Sequence, residues 1–188
     1  MKSMRPLQVL YFCLITILGF SCQTPASSGM EVDPDSMAAE TQMEEPSPSG
    51  QRIGELLVDW ERSFEEDPDG SAVMGGNGLT YLAISGNDRY RLNILDLNEP
   101  LADAGPEKRE IFETGFLRTY KNNLIQMDIP FSETEINGIK ALEFSVEDTE
   151  KSAKSLLFIY GNNAYTLQVV AEKEVDEKFN RLVQAVHF

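Results

Sequence analysis

Ile53, Leu56, Leu57, Trp60 and Phe64 fall at i, i+3, i+4, i+7 and i+11, the spacing of one apolar helix face. Asp67-Pro68-Asp69-Gly70 then supplies a turn signal that ends this helix. Leu79 to Ser85 and Arg89 to Leu97 read as paired strands around Gly86-Asn87-Asp88. In the second, Tyr90, Leu92 and Ile94 alternate with Arg89, Arg91 and Asn93, as a half-buried strand requires. Gly105-Pro106-Glu107 opens a second helix, with proline in its first turn and an acid near its positive end. Its apolar stripe is Ile111, Phe112, Phe116, Tyr120 and Leu124. Gly115 lies mid-helix at a cost of about 1 kcal/mol, as expected where the helix presses on a sheet.

Four strand-like runs follow: Ile125 to Phe131, Ile139 to Val146, Ser155 to Tyr160 and Ala164 to Ala171. Asn137-Gly138 and Gly161-Asn162-Asn163 between them are hairpin signals. Leu142, Phe144 and Val146 share one face, and Tyr165, Leu167, Val169 and Ala171 share one face of the last strand. Val175, Phe179, Leu182, Val183 and Val186 mark a closing helix. The order predicts an α+β fold, a mostly antiparallel sheet of about six strands flanked by helices.

Ahead of this domain the pattern changes character. Lys2 and Arg5 precede the nearly unbroken apolar run Val9 to Phe20, and the chain turns polar after Ser21-Cys22. A basic start, a short apolar run and a small residue at the break are the marks of an export signal. Leu18-Gly19-Phe20-Ser21-Cys22 resembles the bacterial lipoprotein processing box, with Leu18 one position further out than usual. The resemblance implies a signal over 1–21, cleavage before Cys22 and acylation of its sulfur. Two other readings stay open: an uncleaved anchor, although spanning needs about 20 apolar residues, and ordinary cleavage near Ala26. Cys13 would leave with the signal, so a lipidated Cys22 leaves no thiol for redox chemistry or a disulfide.

The 28 residues Gln23 to Gly50 hold four prolines, five serines, six acids, no base and no aromatic, which predicts a disordered tether over 22–50. As a flexible coil its ends would stand about 30 Å apart. Asp35-Ser36-Met37 resembles a short bacterial O-glycosylation motif, which makes Ser36 a candidate glycosylation site. Residues 51–188 remain for one globular domain.

The formal net charge is −15; losing Lys2 and Arg5 makes it −17, of which −11 belongs to residues 51–188. Such a surface disfavours nucleic acid and anionic lipid headgroups; the plainest reason for so many acids is solubility.

Catalytic motifs are incomplete. His187 is the one histidine, beside the last residue, a poor base or metal ligand on its own. Ser85 in Ala83-Ile84-Ser85-Gly86 lacks the first glycine of a nucleophile elbow. Gly75-Gly76-Asn77-Gly78 lacks the lysine of a phosphate loop and reads as a hairpin turn. Asp67-Pro68-Asp69-Gly70 lacks the later ligands of a calcium loop. Glu65-Glu66 and Glu147-Asp148 read as solvated pairs rather than acid–base partners. No enzyme activity, cofactor or metal is expected.

Glu107 to Phe188 resembles the PsbP-like family. The resemblance is carried by the helix before the sheet, by Ile136-Asn137-Gly138-Ile139-Lys140-Ala141-Leu142-Glu143-Phe144, by Leu157 to Leu167, and by the ending Lys178 to Phe188. It is loose from Gln51 to Asn98, where the Trp60 segment departs from the family's opening strand. It implies an α/β/α sandwich and a non-catalytic binding or assembly role, and it transfers no active-site residues. The expectation is a lipoprotein held through Cys22 on the periplasmic or outer surface of the cell envelope, binding another envelope protein. The alternative is a small-ligand carrier with a pocket between sheet and helix. Tyr81, Tyr90, Tyr120 and Tyr160 are expected in the core; any that stands exposed marks a binding face.

Overall fold

The computed structural model describes residues 50–188, which form ten strands and four helices. A two-residue turn joins β1 (Gln51–Ile53) to β2 (Leu56–Val58); then come β3 (Glu65–Glu66), α1 (Pro68–Met74), β4 (Gly78–Ser85) and β5 (Asp88–Asp96). A short α2 (Asn98–Leu101) leads to the long α3 (Pro106–Gln126). Strands β6 (Phe131–Ile136), β7 (Ile139–Glu147), β8 (Ser152–Tyr160) and β9 (Asn163–Ala171) follow, then α4 (Val175–Gln184) and β10 (Val186–His187).

Seven strands form one antiparallel sheet in the order β3-β4-β5-β9-β8-β7-β6. Strand β9 sits at its centre, and every residue from Ala164 to Ala171 is buried, so both faces are covered. One face packs against α4 and a small sheet β1-β2-β10: Tyr165, Leu167 and Val169 meet Phe179, Leu182, Val186, Ile53, Leu56 and Val58. On the other face Leu142, Phe144 and Leu157 meet Tyr120 and Leu124 of α3. This is an α+β fold with a mostly antiparallel sheet flanked by helices.

Polar side chains fasten the layers. Lys154 of β8 reaches Asp176 of α4 at 2.7 Å and Glu143 of β7 at 3.0 Å, with Phe179 beneath its ammonium. Burial pulls the Lys154 pKa down, but hydrogen bonds and charges from Asp176 and Glu143 outweigh it and raise it above the ordinary lysine value. Gln51 offers its side-chain amide reciprocally to the backbone of Phe64, donating to the carbonyl and accepting from the N–H, both at 2.7 Å.

The helix expected from Ile53 to Phe64 is instead the β1–β2 hairpin and an extended segment. Gly54, with φ 61°, takes the first central position of the turn, where the favoured hairpin geometry demands glycine. Ile53, Leu56 and Val58 are buried at hairpin spacing, and the helical period is coincidental. A Cβ on Gly54 would lie 2.7 Å from the Tyr165 hydroxyl, which accepts from the Glu55 N–H at 2.9 Å. Gly54→Ala is therefore expected to cost about 1–3 kcal/mol, read as a lower urea midpoint at unchanged slope.

Other expectations need correction. Asp67-Pro68 opens α1 rather than a turn: the Asp67 carboxylate accepts from Gly70 N–H at 3.2 Å and proline fills the first helical position. Gly75 to Gly78 links α1 to β4 instead of turning a hairpin. The strand expected over Ile125 to Phe131 begins only at Phe131, because α3 runs on to Gln126 and Ile125 is 61% exposed. Ile111 is 67% exposed, so it does not belong to the buried stripe. Gly115 faces open space: a Cβ added there would meet no atom beyond the helix's own turns within 4 Å, so the residue does not press on the sheet. The expected antiparallel sheet of about six strands is present, with the two-residue β3 added at one edge to make seven.

Candidate functional site

Helix α3 is pinned along one side, from Arg109 near its start to Leu124 near its end. At the start, Arg109 donates to the Gly161 carbonyl at 2.5 Å and to Asn162 Oδ1 at 2.7 Å. Phe112 and Phe116 stack with centroids 6.2 Å apart and pack against Leu95, Leu101, Ile159 and Ala164. Further along, Tyr120 meets Phe144 at 5.7 Å, and Leu124 is 1% exposed.

Along one flank of these attachments the helix leaves a cleft above the β6–β7 hairpin and the end of β8. One part, of about 320 Å³, lies between Glu110, Glu113 and Leu117 on the helix and Ile139, Lys140 and Tyr160 on the sheet. The other, of about 500 Å³, runs from Leu117, Arg118 and Lys121 to Glu133, Glu135 and Leu142. They share Thr114, Leu117 and Lys140, so the cleft is continuous and open to solvent. Four acids (Glu110, Glu113, Glu133, Glu135) and three bases (Arg118, Lys121, Lys140) line it together with the apolar Leu117, Ile139 and Leu142. Lys121 bridges it to Glu133 at 2.5 Å. Exposed Ile111 and Ile125 lie on the outer side of the same helix.

This arrangement suits an extended, mixed-charge surface of another molecule, since binding sites for small molecules are mostly apolar and deeply enclosing. A second cleft, of about 520 Å³, lies at the opposite edge beside β3, between Arg62, Glu65, Glu66 and Ile84.

The residues considered from sequence do not converge. His187 is exposed in β10, opposite Leu57, while Ser85 closes the β4–β5 hairpin opposite Asp88. Glu65-Glu66 form the exposed β3, while Glu147 ends β7 and Asp148 follows it. Among the described residues, no three His, Cys, Asp or Glu side chains group as a metal site would require. Tyr90 and Tyr120 are core residues at 5% and 7% exposure, whereas Tyr81 and Tyr160 are only half-buried. Tyr160 lines the cleft and carries Phe188 edge-on at 4.9 Å. Cys22, Ser36, the signal and the tether lie outside the described residues. No described helix is long and apolar enough to cross a membrane.

Sequence reasoning missed Arg109 and Glu55, which grip the β8–β9 turn from two sides. Glu55 accepts from Asn162 N–H at 3.1 Å and from Asn163 Nδ2 at 3.0 Å. Neither lies in a motif; only the Gly161-Asn162-Asn163 turn signals that something must hold it.

No family model matches the chain, and no curated protein is similar to it. A solved crystal structure from Bacteroides thetaiotaomicron is similar at 13% identity and a TM-score of 0.39. The similarity covers 70% of this chain and 44% of that protein, so the chain spans less than half the length of its neighbour.

Proposed function

We propose that this chain is a cell-envelope lipoprotein, held to a membrane through acylated Cys22, whose PsbP-like domain binds another envelope protein without catalysis. The observation that carries the binding part is the open cleft beside α3, with charges of both signs in its lining and exposed isoleucines on the same helix. Beneath it the core is closed: Leu142, Phe144 and Leu157 are at most 2% exposed. A shallow, solvent-open trough with charged side chains beside apolar ones suits a protein interface better than it suits a carrier, which needs a deep, enclosing pocket. The anchoring part rests on the apolar run and Ser21-Cys22.

The test is reversible crosslinking in the native envelope, followed by mild detergent extraction of the full chain and native mass spectrometry. A second polypeptide in stoichiometric amount is the expected result. A bound small molecule without a second polypeptide would favour the carrier and overturn this reading.

A further inference from the structure

Strand β6 is the last in the sheet order and pairs on one side only, with β7. The connecting turn places Asn137 at φ 50° and Gly138 at φ 81°, the two positive angles of the favoured two-residue hairpin turn. Such a turn closes on a hydrogen-bonded pair, here Ile136 with Ile139, and hydrogen-bonded pairs then recur at every second residue. Thr134 with Ala141 and Ser132 with Glu143 therefore exchange backbone bonds. Ser145 N–H donating to the Pro130 carbonyl at 3.3 Å continues that alternation. The N–H and C=O groups of Phe131, Glu133 and Glu135 consequently point away from the sheet. Among the described residues nothing bonds to them.

An open edge six residues long is a template for another strand unless charge, proline or a covering element blocks it. Here no proline interrupts β6, and the guard is Glu133 and Glu135, both exposed. Glu135 repels a second copy of the same edge, and Glu133 adds to this only as far as its pairing with Lys121 leaves it unneutralised. They favour a strand carrying Lys or Arg beside them, and the −11 charge of residues 51–188 steers such a strand inward. Glu133 and Glu135 also line the cleft, so one recognition surface joins edge and trough.

We infer that β6 accepts an extended, basic segment of a partner protein as an eighth strand of the large sheet. Backbone hydrogen bonds would supply affinity and the alternate cationic side chains specificity. This rests on the protein-binding reading above and names the class of partner.

The probe is a short fluorescent peptide alternating lysine and valine, titrated onto the full chain in detergent. Controls are a glutamate–valine peptide and a lysine–valine peptide methylated at every backbone nitrogen, which keeps the charge but has no N–H to donate to the edge. The lysine–valine peptide is expected to bind saturably, at least about tenfold more tightly than either control. Glu135→Pro removes one outward N–H without touching the β6–β7 ladder, and Glu135→Lys reverses the charge; each should weaken binding about tenfold. Hydrogen exchange on the unmutated chain gives an independent reading: the Glu133 and Glu135 amides should slow when the peptide binds. Unchanged exchange, equal binding of the N-methylated peptide, or self-association through β6 would overturn the inference. If crosslinking recovers a partner while these amides remain unprotected, the edge is wrong and the wider reading stands.

Discussion

Phe158→Ala is expected to destabilise the domain by about 3–5 kcal/mol, the range for deleting a fully buried aromatic side chain. Phe158 is 0% exposed on the face of β8 that meets α4 and the small sheet. Its ring stacks on Tyr165 at 5.5 Å and receives Phe188 edge-on at 5.5 Å. Strands β7 and β9 hold the backbone on both sides, so the cavity cannot readily collapse. Native domains are stable by about 5–15 kcal/mol, so one ring carries a large share of the total. The melting temperature should fall on the order of 10–20 °C. Phe188→Ala, at a site 36% exposed, should cost roughly half as much or less. Comparable losses at the two positions would contradict the packing described.

Cys22→Ala should abolish palmitate labelling and release the chain from the membrane fraction. The effect is close to all-or-none because acyl attachment is additive in methylenes, at about 0.8 kcal/mol each. A single chain binds marginally, whereas several on one residue hold effectively without release. Fractionation must be read together with the N-terminal residue, since an uncut apolar leader would itself retain the variant. Equal labelling of wild type and variant would refute lipidation at this residue.

Hairpins are the most legible part of the chain. Asn137-Gly138 and Gly161-Asn162-Asn163 announce their turns because few residues tolerate positive φ, and the structure places Asn137, Gly138 and Gly161 there. Helix α4 is legible for a different reason, with Val175, Phe179 and Leu182 repeating on one face. The first segment misleads because Ile53, Leu56, Leu57 and Trp60 satisfy a helical period, while Gly54 and Glu55 take the tight turn that separates two strands. Strand β6 escapes the pattern because Ser132-Glu133-Thr134-Glu135 is polar, as an open edge is, and apolar periodicity cannot find it. The candidate cleft is legible only as a space between sheet and helix. Its lining depends on how far α3 stands off the hairpin, which Arg109 and Tyr120 fix through contacts distant in sequence.

The most direct measurement is in-cell photocrosslinking from single positions of the full chain. A photoreactive residue at Glu113 or Glu135, in the cleft, should yield a discrete adduct with another envelope polypeptide, whereas one at Glu65, on the opposite edge, should not. Adducts of equal yield from all three positions, or none from the cleft, would contradict the account.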